Sequence, residues 1–141
     1  MELRLIPKLA GSAAVALMLF VTPGVSYAQE TGDVLAGAKV FTKQCAQCHV
    51  LGTEMKTGLA GPPLNGIVGR KSATTAEFNY SPQMRSARLT WDVPVMTRYL
   101  RSPKGLIPGT RMLFNGLSAP KDIADVIAFL ETFDSQGVKK Q

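Results

Sequence analysis

The stretch KQCAQCHVLG, residues 43–52, contains both cysteines of the 141-residue chain and its only histidine. Cys45, Cys48 and His49 therefore lie within five positions of one another. Such a concentration of soft ligands indicates chemistry at this point of the chain. Four kinds are open: a disulfide, a metal clip, a redox dithiol, or the attachment of a larger group.

The start of the chain has the order of a secretory signal. A basic beginning precedes an apolar block from Ala10 to Val21, and small residues end the segment at Ala28. The block has about a dozen residues, whereas a membrane-spanning helix needs roughly twenty. We therefore expect residues 1–28 to be a signal peptide cleaved after Ala28, and residues 29–141 to form one periplasmic domain.

The chain is basic, with a formal net charge of +6 that falls to +5 when the signal is removed. Export and the scattering of lysine and arginine argue against nucleic acid as a partner. A charge of this size favours acidic protein surfaces, which it attracts over roughly 8–10 Å at moderate salt. No repeat of 20–50 residues occurs, so we expect a single compact unit and a monomer.

Helical signals dominate the mature chain, and no segment alternates like a strand. The predicted helices are Asp33 to about Ala46, Ser81 to about Ala87, Thr90 to Ser102, and one that begins at Ser118. Proline at the first position of a helix and a capping serine, threonine or aspartate before it support these starts. In the last helix, an apolar stripe has helical spacing: Ile123, Val126, Ile127, Leu130 and Phe133.

Two long segments have no period, residues 50–71 and 102–116, and both are rich in glycine and proline. We therefore predict three to five helices joined by long loops. A domain of this size buries only about two-thirds of its chain surface. Because these loops offer few large aliphatic side chains, we expect a non-protein group to complete the core.

Three alternatives for the cysteine pair can now be compared. A thiol oxidoreductase has the pair at the start of a helix after a strand, whereas here a helix precedes it. A structural zinc site needs four ligands, and no other cysteine or histidine exists. Cys-x-x-Cys-His is typical of covalent haem attachment, with both sulfurs on one side of a helical turn. The motif therefore predicts one haem c per chain, held by thioethers of Cys45 and Cys48 and coordinated by His49.

A sixth iron ligand must be a methionine if it comes from this chain, because there is no second histidine. Met96 lies in a helical pattern and suits the core, and Met55 follows the haem motif too closely to reach the opposite face. Met112 lies in an extended loop stiffened by proline and glycine, and it is the best candidate. Met84 stays open as an alternative.

Beyond this motif, the mature chain resembles the small soluble class I cytochromes c of the mitochondrial and purple-bacterial kind. The matching stretches are GAKVFTKQCAQCH, GPPLNGIVGRKSATTAEFNYS, LTWDVPVMTRYLRSPKGLIPGTRM and ADVIAFL. The resemblance implies an all-α class I cytochrome c fold, with three to five helices and long loops wrapped around one covalently bound haem.

The resemblance also implies roles for individual residues. It makes His49 and Met112 the axial ligands, and it implies a contact of the first and last helices through Gly37, Phe41, Val126 and Phe129. It places further residues around the haem: Arg70, Tyr80 and Trp91 near the propionates, Tyr99 and Thr110 on the methionine side, and Phe114 beside the ring edge. Met84 stands where many family members have an asparagine, which puts the polar network beside the haem in doubt.

These expectations together describe a carrier of single electrons. Histidine–methionine ligation favours the ferrous state and raises the reduction potential. With both faces of the iron occupied we expect no enzyme and no small-molecule substrate. The expected role is shuttling between membrane-bound redox complexes, such as a quinol:cytochrome c reductase and a terminal oxidase. A haem enzyme or gas sensor, a haem-free thiol oxidoreductase, and a permanently docked subunit are the alternatives.

Docking on acidic surfaces of these complexes is expected to use basic residues around the exposed haem edge. The candidates are Lys43, Lys56, Lys104, Arg111 and Lys121.

Overall fold

The computed structural model describes residues 31–54 and 60–141 as helices and loops. The five helices are α1 (Val34–Gln44), α2 (Pro82–Ala87), α3 (Val93–Arg101), α4 (Pro103–Leu106) and α5 (Pro120–Glu131). In these ranges, β structure is limited to two isolated antiparallel bridges. The predicted all-α class with three to five helices is therefore confirmed. The predicted signal peptide, Met55 and Lys56 lie outside the described residues. No helix in the described ranges is long and apolar enough to cross a membrane.

The starts of α1 and α2 are capped as predicted. The Asp33 carboxylate accepts a hydrogen bond from the Ala36 N–H at 2.8 Å. The Ser81 hydroxyl accepts one from the Met84 N–H at 3.1 Å, and Pro82 follows it at the first helical position. Each cap satisfies a backbone donor that has no partner within its helix.

The other three helices correct the predicted boundaries. The cap of α3 is Asp92, which accepts from the Val95 N–H at 2.9 Å, whereas Thr90 is bridged to Lys71. Helix α4 begins at Pro103, inside a segment predicted to be irregular, because a proline that ends one helix also starts the next. Helix α5 is preceded by Ala119 and not by Ser118.

Helices α1 and α5 cross at small residues. A Cβ placed on Gly37 would overlap the Asp125 carbonyl group and lie 2.8 Å from the Phe129 Cβ. The rings of Phe41 and Phe129 pack tilted, with centroids 5.6 Å apart. Val126 is fully buried. The crossing that the resemblance implied is therefore present at Gly37, Phe41 and Phe129.

A buried carboxylate ties the start of α1 to α5. Asp125 is 3% exposed, accepts a hydrogen bond from the Asp33 N–H at 2.6 Å and is ion-paired with Lys121. Burial raises the pKa of this carboxyl group, but the bonds from Asp33 and Lys121 outweigh burial and hold it below its usual value. The charged carboxylate therefore stabilises the folded state at neutral pH.

The apolar stripe of α5 divides its contacts between two regions. All five predicted members are buried: Ile123, Val126, Ile127, Leu130 and Phe133. Val126 and Leu130 also line a large cavity. Helix α5 thus packs on α1 with one side and forms a cavity wall with the other.

The segment after α5, residues 133–141, folds over the loop that follows the cysteine motif. Asn65 is buried, accepts from the Gly52 N–H at 2.9 Å and donates to the Gly52 carbonyl at 2.9 Å. Gly137 adopts a positive φ, and a Cβ there would lie 2.6 Å from the Asn65 amide nitrogen. The chain after α5 therefore packs directly against Gly52 and Asn65.

Candidate haem-binding site

A cavity of about 280 Å³ opens on the side of α5 away from α1. All ten residues that the sequence predicts for the site line it: Cys45, Cys48, His49, Arg70, Tyr80, Trp91, Tyr99, Thr110, Met112 and Phe114. They come from the end of α1, from α3 and from three loops, so the fold brings together residues that are far apart in sequence. Their individual roles stay predictions.

Both cysteines follow α1 in a single turn. The Cys48 N–H and the His49 N–H donate to the Cys45 carbonyl at 3.0 and 2.9 Å, and both thiols are free. Burial raises the pKa of Cys45 to about 11, and the neighbouring Cys48 adds to the rise. A catalytic dithiol needs a lowered thiol pKa. The site therefore suits stable attachment better than thiol exchange.

His49 is oriented from behind by the loop at residues 61–62. Its Nδ1 lies 2.7 Å from the Pro62 carbonyl oxygen, so Nδ1 donates and Nε2 keeps its lone pair. A Cβ on Gly61 would lie 2.6 Å from the same Nδ1, so only glycine fits against the ring. Burial lowers the pKa of His49, although the bond to Pro62 opposes this. The imidazole is thus held neutral, the form that binds a metal.

Arg70 brings an incompletely paired charge to the cavity. Its guanidinium donates to the Asn65 carbonyl at 2.9 Å and to the Pro63 carbonyl at 3.1 Å. Its buried Nε has no partner among the described residues. Burial lowers the pKa of Arg70, and nearby Tyr80 opposes this. A buried cation with a spare donor fits an anion such as a haem propionate.

On the side of the cavity where Met112 lies, the Thr110 hydroxyl connects Tyr99 to the backbone of Met112. Thr110 Oγ1 lies 3.2 Å from the Tyr99 hydroxyl and accepts from the Met112 N–H at 3.3 Å. The Tyr99 ring packs on Trp91 with centroids 4.9 Å apart. Burial raises the pKa of Tyr99, and its bond to Thr110 opposes this. Tyr99 therefore stays protonated at neutral pH and can donate to Thr110.

Among the described residues, three methionines line the cavity, namely Met84, Met96 and Met112. Met96 is buried at 5% exposure, in keeping with the core role predicted for it. Met84 occupies the position that the resemblance associates with an amide, so this wall is more apolar than in many family members. The bond between Tyr99 and Thr110 forms without that amide.

The mouth of the cavity is basic. Cationic side chains among the residues that line the cavity are Arg70, Lys71 and Arg111, and no aspartate or glutamate is found among the described lining residues. Of the predicted docking residues that the structure describes, only Arg111 lines the cavity. Lys121 is paired with Asp125, so its charge is largely compensated. Lys71 was not among the predicted residues, although it directly follows Arg70.

Leu113 adds an apolar side chain to this mouth. It is 93% exposed, although its neighbours Met112 and Phe114 are both half-buried. We name Lys71, Arg111 and Leu113 the mouth patch.

Comparisons with known proteins give the same family throughout. The family model described as cytochrome c matches residues 34–134. Cytochrome c2 of Rhodomicrobium vannielii is 47% identical over 109 residues, which cover 77% of this chain and 86% of that protein. Cytochrome c-554 of Methylosinus trichosporium is 44% identical over 132 residues, 94% of each chain. The solved structure of cytochrome cH from Methylobacterium extorquens is 39% identical, has a TM-score of 0.66, and covers 72% of this chain and 99% of its own.

The family carries haem c covalently, and its members transfer electrons to redox partners without acting as enzymes. The predictions of haem c, electron transfer and a non-enzyme are thereby confirmed. The free cysteine pair, the neutral imidazole and the unpaired Arg70 donor all fit that group. The chain therefore belongs to the cytochrome c family, as a class I member with an all-α fold.

Proposed function

We propose that this cytochrome is a periplasmic, monomeric shuttle between membrane-bound redox complexes, with His49 and Met112 as its axial ligands. The observation that carries the proposal is that both side chains line one cavity together with Cys45 and Cys48. When bound, the haem supplies an iron that alternates between ferric and ferrous states. With His49 and Met112 both bound to it, the iron would have no open coordination position for a substrate.

The surrounding residues prepare each ligand for this role. The Pro62 carbonyl fixes the tautomer of His49, and Thr110 holds the backbone of Met112. Fixed ligands reduce the rearrangement that accompanies a change of iron charge, which favours fast electron transfer. Arg70 supplies a positive charge that partly compensates the propionates.

The ligand assignment is tested with matched methionine variants. We expect Met112→Ala to lose the long-wavelength methionine–iron absorption band and to gain carbon monoxide binding. Met84→Leu and Met96→Leu nearly conserve volume and should keep the band. Loss of the band in Met84→Leu and not in Met112→Ala would assign the sixth ligand to Met84. Carbon monoxide uptake by the unchanged protein at neutral pH would favour a haem enzyme or gas sensor.

The proposed docking surface is the mouth patch, and the proposed partner surface is acidic. Support comes from cations at the cavity mouth without a carboxylate among the described lining residues. Charge steering makes association fast and salt-sensitive. We expect the second-order rate of electron exchange with a membrane acceptor to fall steeply as ionic strength rises. A flat response would rule out charge steering.

The proposed localisation depends on cleavage of residues 1–28. N-terminal sequencing of the protein from a periplasmic extract should begin at Gln29. A chain that begins at Gln29 from the outset should stay in the cytoplasm. Recovery of uncleaved chain in the membrane fraction would show that residues 1–28 are a membrane anchor and not a cleaved signal peptide.

A further inference from the structure

The segment that carries Met112 has few backbone attachments. Between Thr110 and Leu117, no backbone group is hydrogen-bonded to another backbone group of the described chain. The two flanking bonds are Thr110 N–H to the Ile107 carbonyl at 3.0 Å and Leu117 N–H to the Leu100 carbonyl at 2.8 Å. We name residues 108–114 the ligand loop. Its position over the cavity must therefore depend on side chains.

Met112 and Phe114 of the ligand loop pack against the buried core, and Thr110 pairs with Tyr99. Two further contacts attach the loop to the segment around α2. Gly109 lies against α2, where an added Cβ would lie 2.8 Å from Cδ of Gln83. Arg111 donates from Nη1 to the Asn79 carbonyl at 3.2 Å, across 32 residues of sequence. Both contacts join the loop to the segment around α2, on the far side of the cavity mouth.

A second arginine, Arg85, holds Asn79, the residue whose carbonyl accepts the hydrogen bond from Arg111. Arg85 of α2 donates to the Asn79 side-chain oxygen at 2.9 Å and to the Tyr80 carbonyl at 3.1 and 3.2 Å. Asn79 thus receives Arg85 on its side chain and Arg111 on its backbone carbonyl. Because Arg85 is also part of a helix, it gives the Asn79 carbonyl a fixed position.

We infer that Arg111 is a positioning residue for Met112: anchored on Asn79, which Arg85 holds, it keeps the ligand loop closed over the cavity. This inference rests on the proposed role of Met112 as iron ligand. A guanidinium suits the task because it offers several donors in a rigid plane. Arg111 is exposed, so its part in docking must be separated from this role.

Imidazole binding to the oxidised haem protein tests the inference, since this neutral ligand enters only when Met112 leaves the iron. Loss of one hydrogen bond from a charged donor should speed imidazole binding about tenfold in Arg111→Ala. Arg111→Lys keeps one donor and should stay closer to the unchanged protein. Arg85→Ala, which frees Asn79, should give an intermediate rate. Arg98→Ala removes an exposed charge that does not line the cavity and should change nothing.

Thermal loss of the methionine–iron band gives a second readout. In Arg111→Ala we expect this band to vanish at a lower temperature than before, while the far-ultraviolet circular dichroism transition moves little. Equal imidazole rates in Arg111→Ala and Arg98→Ala would overturn the inference. It would also be overturned if the band and the global transition shifted together, because Arg111 would then be a general stability residue. Absence of the band in the unchanged protein would instead refute the proposed ligation.

Discussion

Where α1 crosses α5, the helices approach so closely that a Cβ on Gly37 would lie 2.8 Å from the Phe129 Cβ. Beyond α5, in contrast, loops and α3 surround a cavity of about 280 Å³. The crossing is close-packed by protein alone, as interiors of folded domains are. The cavity walls have no such partner. The difference between the two sides of α5 shows that protein side chains fill only part of the core. The haem is needed to fill the rest.

The largest effect is expected when haem attachment is prevented, because the cavity side of the core then has nothing to pack against. We expect the double variant Cys45→Ala and Cys48→Ala to lose its cooperative thermal transition, because the cavity walls then expose apolar surface to water. Far-ultraviolet circular dichroism measures the effect. The matched control is Thr42→Ala, an exposed position on α1, the helix that precedes both cysteines, outside the cavity lining. A cooperative transition in the double variant would mean that the α1–α5 crossing folds without its cavity side.

The crossing itself is tested by adding a single methyl group. Gly37→Ala should lower the free energy of unfolding by about 3 kcal/mol or more, since the new Cβ meets the α5 backbone. Gly105→Ala is the control, because its Cβ would meet only the Ser102 side chain, with Oγ at 2.5 Å and Cβ at 3.2 Å, and the hydroxyl can rotate away. Guanidinium unfolding gives both values. Equal losses would show that the crossing is not close-packed.

The contribution of the Asp125 carboxylate to the stability of the α1–α5 crossing should depend on pH. Asp125→Asn should cost about 1–3 kcal/mol of unfolding free energy at pH 7, because the pair with Lys121 is lost. The folded carboxyl has a lowered pKa, so its stabilisation is full above the unfolded pKa of about 4 and is lost as the pH falls through the folded pKa. Unfolding at pH 7, 5 and 3 should show the difference between variant and unchanged protein shrinking. A constant difference would mean that the charge contributes nothing.

Two exposed leucines, one beside the cavity and one on α1, allow the same two regions to be compared at the surface. The expected effect on the rate of electron exchange is the smallest of the four. Leu113 in the mouth patch is 93% exposed and Leu35 on α1 is 78% exposed. Leu113→Ala should lower the second-order rate with a membrane acceptor roughly fivefold, about 1 kcal/mol, because it removes apolar contact at the docking surface. Leu35→Ala should leave the rate unchanged. Equal rates in the two variants would remove Leu113 from the docking surface.

Helix starts were predictable where a local signal decides them. Asp33 and Ser81 cap their helices because each side chain bonds a backbone donor three residues ahead. The start of α3 has the same local signal at Asp92, but Thr90 is a competing cap two residues earlier. Only the bridge between Thr90 and the distant Lys71 excludes Thr90 as the cap. Helix α4 was missed because Pro103 was interpreted only as the end of the preceding helix.

The residues of the site were likewise predictable where neighbouring residues in the sequence decide their role, and not where distant segments do. The haem motif is a run of five residues, and the sequence alone identified it. The spacing of residues cannot indicate that Pro62 orients His49 or that Arg111 reaches Asn79, because loop packing decides both contacts. Lys71 was overlooked for the same reason, since one position in a loop decides whether a lysine faces the cavity.

The close contact of Gly137 with Asn65 has a practical consequence for attaching this protein to an electrode. Through Asn65, the segment after α5 touches the loop whose carbonyl groups hold Arg70. A bulky linker near Gly137 would press on that loop and shift the potential it was meant to measure. Thr42, exposed on the outer face of α1, offers a tether that leaves the redox centre undisturbed.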